Sequence, residues 1–156
     1  MATHEPTRDP EWLSHQIVQH APEAVIMADR EGLIRVWNAG AEAVFGYPAP
    51  EALGRSLDLI IPERFRARHW DGFRKVMETG DTRYGAELLN VPAICKDQTR
   101  ISVEFSVTLV RGPAGEVLGV AAIMRDVTQA WNQQKELRQR LADLEARVAA
   151  TALTRH

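Results

Sequence analysis

Residues 100–111, RISVEFSVTLVR, decide how the rest of the chain is read. Ile101, Val103, Phe105, Val107 and Leu109 alternate with Ser102, Glu104, Ser106 and Thr108. A period of two over twelve residues is that of a strand with one buried and one wetter face. Lys96-Asp97-Gln98-Thr99 and Gly112-Pro113-Ala114-Gly115 are turn chemistry on either side. The flanking runs, Tyr84 to Ile94 and Val117 to Asp126, become its antiparallel neighbours. Further upstream, Ala24 to Asp29 and Leu33 to Trp37 form a shorter hairpin across Arg30-Glu31-Gly32.

Between hairpin and meander lie helical signals. Asn38 caps a helix over Ala39 to Phe45 that Gly46 stops, Pro48 to Leu53 makes a further turn, and Ser56 to Ile61 carries four apolar residues. Pro62 then opens a longer helix to Thr79, closed by Gly80-Asp81. Before the first strand, Asp9-Pro10 starts a helix with Trp12, Leu13, Ile17 and Val18 on one stripe, ended by Pro22. Two strands, several short helices and three antiparallel strands give an α+β class: a five-stranded antiparallel sheet with helices on one face. The expected divisions are a tail and amphipathic helix over 1–22, a globular domain over 23–128, and a last helix over 129–156.

On that last helix Val127, Ala130, Gln134, Leu137, Leu141, Leu144, Val148 and Thr151 are spaced alternately by three and four. A narrow apolar seam at this spacing favours a two-stranded coiled coil, hence a homodimer, over a helix folded back on its own domain. Gln134 on the seam weakens it and fixes register.

The long helix holds the candidate site. Phe65, His69, Phe73 and Val76/Met77 recur on one stripe, so a single imidazole lies among apolar side chains. Such a ring is either a hydrogen-bonded core histidine, bracing Trp70 or Trp37, or a ligand to something bound.

Composition narrows the classes. The 156 residues are 45% hydrophobic and 26% charged with a net charge of −2, which speaks against nucleic acid or an anionic membrane as partner. No apolar run reaches the roughly 20 residues of a membrane span, and Met1 to Arg8 lacks the apolar region of a secretory signal. One cysteine, Cys95, fits a reducing compartment, so a cytoplasmic location is expected. Catalytic arrangements are lacking. Gly32, Gly40 and Gly46 form no phosphate loop, and Ser14 beside His15 has no third partner. His4, His15, His20 and His156 lack metal-ligand spacing, and the pairs Glu63/Asp71 and Glu42/Glu51 read as solvated faces. A non-enzymatic module is expected.

Several runs resemble PAS domains in the order and spacing of that family: Arg35-Val36-Trp37-Asn38-Ala39-Gly40-Ala41-Glu42, Val44-Phe45-Gly46-Tyr47, Glu51-Ala52-Leu53-Gly54-Arg55, Lys96-Asp97-Gln98, and Gly119 through Thr128. The likeness covers about residues 15–128. It implies a sensory domain in which Asp126 and Thr128 form the junction between core and signalling helix. The flavin-binding branch carries an Asn-Cys-Arg-Phe-Leu-Gln run that is missing here, so no flavin is expected.

The run Ile61 to His69, and the distance from His69 to Lys96-Asp97, are similar to the heme-binding PAS domains of oxygen-sensor kinases. That resemblance implies heme b, with His69 as proximal iron ligand, Phe65, Phe73, Val76 and Met77 covering the macrocycle, and Ile101, Val103, Phe105 and Val107 as the opposite wall. Lys75 and Arg83 match by charge type the residues that pair the propionates. The oxygen-binding members place an arginine twenty residues after the histidine, where this chain has Leu89. An apolar residue there favours carbon monoxide, nitric oxide or a redox change over tight oxygen binding, with Met124 or Cys95 as a candidate sixth ligand. The alternative is a cofactor-free dimerisation module or a small-metabolite sensor. Output is expected through a partner, or through an effector domain following His156 if the chain is a fragment.

Overall fold

The computed structural model describes residues 9–82 and 88–155. Residues 1–126 form one compact unit and residues 127–156 a second. In chain order the elements are α1 (Pro10–His20), β1 (Ala24–Asp29), β2 (Ile34–Trp37), α2 (Ala39–Phe45), α3 (Ala49–Ala52), a 3-10 turn (Leu57–Ile60), α4 (Glu63–Thr79), β3 (Leu89–Ile94), β4 (Arg100–Arg111), β5 (Val117–Asp126) and α5 (Thr128–Thr154).

The five strands form one sheet in the order β2-β1-β5-β4-β3, with every neighbouring pair antiparallel. The returning chain thus inserts β5 between the two hairpins. Register follows the alternation of β4. Phe105 stands opposite Leu89 and Met124, Val107 opposite Ala122, and Leu109 opposite Val120. Ala122 and Met124 in turn oppose Ile26 and Ala24. These residues share one face, and the helices cover it.

The core is best filled at the α2 end. Phe45, Ile26 and Ile34 are among the largest fully buried side chains. Trp37 packs on Phe45 with ring centroids 5.6 Å apart, and its indole N–H donates to the Tyr47 carbonyl (2.9 Å). Asn38, wholly buried, is the polar hub of this end. Its Oδ1 accepts from the N–H groups of Val25 (2.8 Å) and Ala41 (2.9 Å), and its Nδ2 is shared among the carbonyls of Val18, Ala21 and Glu23. One side chain therefore caps α2 and also ties α1 and the entry to β1 onto it. Gly40 permits the approach, because a β-carbon there would stand 2.1 Å from the Glu23 carbonyl oxygen.

Some boundaries differ from the sequence reading. Ser56 to Ile61 becomes a 3-10 turn, with the Ser56 hydroxyl accepting from the Asp58 N–H (3.2 Å). The second strand starts at Ile34, because Leu33 bridges to Ser56 instead. The first long strand was expected from Tyr84. Its described part begins at Leu89, and Tyr84 lies outside the described residues. The stripe on α1 is not a buried one, since Trp12, Leu13, Ile17 and Val18 are all exposed.

Candidate functional site

Two groups of hydrogen bonds fix where helix α4 sits. At its start the Arg66 guanidinium donates to the carbonyls of Ile61 (3.0 Å) and Asp58 (3.3 Å), while the Trp70 indole N–H donates to the Asp58 carboxylate (2.8 Å). At its end Arg30 donates to the carbonyls of Val117 (2.7 Å) and Met77 (3.4 Å), and Arg111 to those of Gly80 (2.8 Å) and Gly115 (3.0 Å). Two guanidiniums thus satisfy carbonyls that a helix C-terminus leaves open and bind them to Gly115 and Val117, in the turn into β5 and at its first residue.

The buried side of α4 is rotated from the expected stripe. Phe73 and Met77 are buried and cluster with Val117, joined by Trp70, Val76, Leu57, Leu109 and Val120. Trp70 takes the innermost place near the helix start because Gly32 leaves room for it. With φ +79° that glycine turns the β1–β2 hairpin, and a β-carbon on it would lie 2.3 Å from the Trp70 ring. As a result His69 stands at the margin of the buried side. Phe65 is half-buried under the Arg64 guanidinium (4.5 Å) and belongs to neither hydrophobic cluster. Lys75 is exposed; six residues on, at about 100° per residue, it lies roughly 120° around the helix from His69. Arg83 lies outside the described residues.

His69 is half-buried, edge-on to Trp70 (4.7 Å between centroids) and 6.0 Å from Phe73. Its Nδ1 is fully buried and, among the described residues, is the one buried side-chain polar atom without a hydrogen-bond partner. Burial lowers its pKa from the ordinary 6.5, partly opposed by the Asp58 carboxylate. The ring is therefore neutral at pH 7, with a lone pair available to a metal ion or a donor.

Across from α4 the inner face of the sheet is incompletely covered. Val103 is buried, yet Leu89, Phe105, Val107 and Leu109 on the same face are only half-buried. Helix α2 packs close on β1, whereas α4 lies further from the strands. Met124 is buried on β5 opposite Phe105. The Cys95 thiol is buried and donates to the Val44 carbonyl (3.4 Å); burial first, then the carboxylates of Asp97 and Asp126, raises its pKa. It lines, with Val44, Phe45 and Lys96, an open surface groove at the α2 end. Asp126 closes β5 opposite Val103, and Thr128 opens α5.

Of the residues singled out in the sequence, Phe73 and Met77 pack against Val117, Leu109 and Val120 of the sheet, and His69 lies beside Phe73 at the margin of that cluster. Sequence reasoning missed Arg30, Arg111 and Asp58 as the residues that hold α4, because their partners lie far away in sequence. It also missed that Gly32 makes the seat for Trp70, having read that glycine only as a turn residue.

Residues 18–132 match the family described as PAS fold. The chain belongs to the PAS family. Among curated relatives, it is 28% identical over 149 residues to the signal transduction histidine-protein kinase AtoS of Escherichia coli strain K12, covering 93% of this chain and 23% of AtoS. It is 25% identical over 114 residues to the oxygen sensor protein DosP of the same organism, covering 73% of this chain and 14% of DosP. The chain spans a quarter or less of the length of the curated relatives it matches. The crystal structure of the PAS domain of a protein from Colwellia psychrerythraea has the same fold, with a TM-score of 0.68 at 20% identity, covering 78% of this chain and 99% of that one. This PAS domain is thus a sensory module of the kind found in signal-transduction kinases. No helix among its described residues is long and apolar enough to cross a membrane.

Proposed function

We propose that this PAS domain binds heme b through His69 and reports a diatomic gas or a redox change through α5. The observation that carries the proposal is the buried, unpartnered Nδ1 of a neutral imidazole beside Phe73, on a helix that packs against an incompletely covered apolar sheet. An orphaned buried nitrogen is a cost unless something completes it, and a neutral imidazole is a good iron ligand. Heme b, when bound, would supply an iron centre whose ligation answers to carbon monoxide, nitric oxide, oxygen or electron transfer.

The chain's own residues have definable parts in this. His69 donates its lone pair. Phe73 and Met77 on α4, and Leu89, Val103, Phe105 and Val107 on the sheet, offer apolar surface and keep water out. Leu89 offers no hydrogen-bond donor, which disfavours a polar bound gas and leaves carbon monoxide and nitric oxide less affected. Met124 is a candidate sixth ligand on the inner face, whereas the Cys95 thiol is engaged with α2. Lys75 and Arg83 retain only their charge type as an argument for pairing the propionates. No flavin is needed in this reading. A displacement of α4 is passed to β5 by Arg30 and Arg111, and β5 runs without interruption to Asp126 and the Thr128 helix start.

Helix α5 carries the output by pairing with a second copy, and the kinase relative makes a catalytic output domain or a separate effector the natural receiver. Hemin titration of purified protein tests the first step. One equivalent should bind with an intense Soret band, and His69→Ala should lose or shift it. A colourless protein that ignores hemin would replace this reading with the cofactor-free interaction module, and ligand-dependent thermal stabilisation without colour would point to a small metabolite.

A further inference from the structure

Around α4, the residues on either side of His69 change character in order. At about 100° per residue, Met77, Phe73, His69, Gly72 and Arg68 follow one another round the helix in steps of roughly 40–60°, with Lys75 just beyond. Met77 and Phe73 are buried, His69 is half-buried, and Gly72, Arg68 and Lys75 are exposed. Phe65, half-buried and in neither hydrophobic cluster, flanks the same sector one turn before His69. The sector thus runs from apolar surface through an imidazole and a gap to a cation. Arg68 makes no ion pair among the described residues, whereas Arg74 is paired with Asp71.

The gap at Gly72 has no explanation in the fold around it. Glycine in the middle of a 17-residue helix is less favourable than any residue but proline. Gly32 and Gly40 are required, because β-carbons there would stand 2.3 and 2.1 Å from their neighbours. Gly72 is not among the glycines with positive φ, and a β-carbon on it would meet nothing within 4 Å among the described residues. A side chain on a helix leans toward the N-terminus, so one at position 72 would lie back over the preceding turn, beside His69. The glycine leaves that approach to the imidazole open. An independent mark of an incomplete site lies next to it, the buried Nδ1 of His69 without a partner.

We propose that Gly72 is the clearance position of the His69 site, left without a side chain so that the edge of a flat, carboxylate-bearing ligand crosses α4 from His69 to the Arg68 guanidinium. The proposal rests on the reading of His69 as the ligand to heme b and adds a specificity-determining residue to it. Phe73 and Phe65 offer apolar surface to such a ring, Gly72 leaves room for its edge, and Arg68 supplies positive charge for a carboxylate on the solvent side.

Hemin titration of Gly72 variants of the full chain, with urea unfolding of the same ligand-free proteins, tests it. Gly72→Ala and Gly72→Leu should both raise the urea midpoint, because they replace a helix-interior glycine where the new side chain meets no neighbour. Gly72→Leu should nevertheless weaken hemin binding by roughly tenfold or more, the size of an overfilled contact, with Gly72→Ala between it and the wild type. Ala67→Leu, a comparable addition at an exposed position about 160° round the helix from His69, should leave binding unchanged. Arg68→Ala should weaken hemin about threefold and leave hemin dimethyl ester, which has no free carboxylate, unaffected. A Gly72→Leu protein that binds hemin like the wild type, or that unfolds at lower urea, would overturn the clearance role while leaving His69 as ligand. Equal losses of hemin and its dimethyl ester in Arg68→Ala would overturn the pairing with Arg68. A wild-type chain that ignores hemin would overturn the reading of His69 beneath both.

Discussion

Around Asn38 every buried side-chain polar group among the described residues has its partners, whereas around His69 one nitrogen has none. The two ends of the PAS core also differ in packing. Phe45, Ile26 and Trp37 are closed off from solvent, while Phe105, Val107 and Leu89 on the same sheet face remain half-covered. The difference teaches where to look for function: a fold completes its polar contacts where the job is stability, and departures collect where something else is to be bound.

Removing the hub at the complete end should have the largest effect. Asn38→Ala leaves two N–H groups and up to three carbonyls to find other partners, and should cost about 3–4 kcal/mol in urea unfolding. Gly40→Ala should be severe for a steric reason, since its new methyl would meet the Glu23 backbone. If both were mild, the contrast between the two ends would collapse.

A middle-sized effect belongs to the clamp at the end of α4. Arg30→Ala frees the carbonyls of Met77 and Val117 and should cost about 1–2 kcal/mol. Hydrogen exchange should then rise in the last turn of α4 and at the start of β5 while the α2 end stays protected. Uniform acceleration across the domain would show that Arg30 supports the whole core and does not specifically join α4 to β5.

At the incomplete end the expected change in the ligand-free protein is small and can have the opposite sign. His69→Leu removes a buried polar atom that has no partner, so stability should change by less than about 1 kcal/mol or increase. A loss as large as that of Asn38→Ala would mean the imidazole is a structural residue.

The pH dependence sharpens the same point. The folded-state pKa of His69 is lowered, chiefly by burial, so below about pH 6.5 the unfolded chain binds a proton that the folded one resists. Stability should therefore be retained above that pH and fall as the pH drops through it, and His69→Leu should flatten this part of the profile. An unchanged profile in the variant would assign the titration to other groups.

Much of this contrast could be read from residue order. The alternation over residues 100–111 fixed β4, and the boundaries of β1, α2 and β5 followed from turn and cap residues next to them. These are local signals, complete within a few residues of chain. The orientation of α4 was not legible in that way. Spacing alone put Phe65 and His69 at the centre of the buried stripe, but Trp70 wins the inner place through Gly32 and Asp58, 38 and 12 residues away. Asn38 was recognisable as a cap and not as a hub, because three of its partners are carbonyls in the last turn of α1 and on the α1–β1 connection. For the site, one histidine stood out by type and position, while the arginines that hold its helix looked like ordinary surface charges.

The most direct test of the account exchanges the His69 side chain for a diffusible one. His69→Gly should fail to give the wild-type Soret band with hemin and should regain it when imidazole is added, while Asp58 and Trp70 stay in place. A His69→Gly protein that binds hemin with the wild-type spectrum in the absence of imidazole would contradict the claim that the unpartnered ring is the iron ligand.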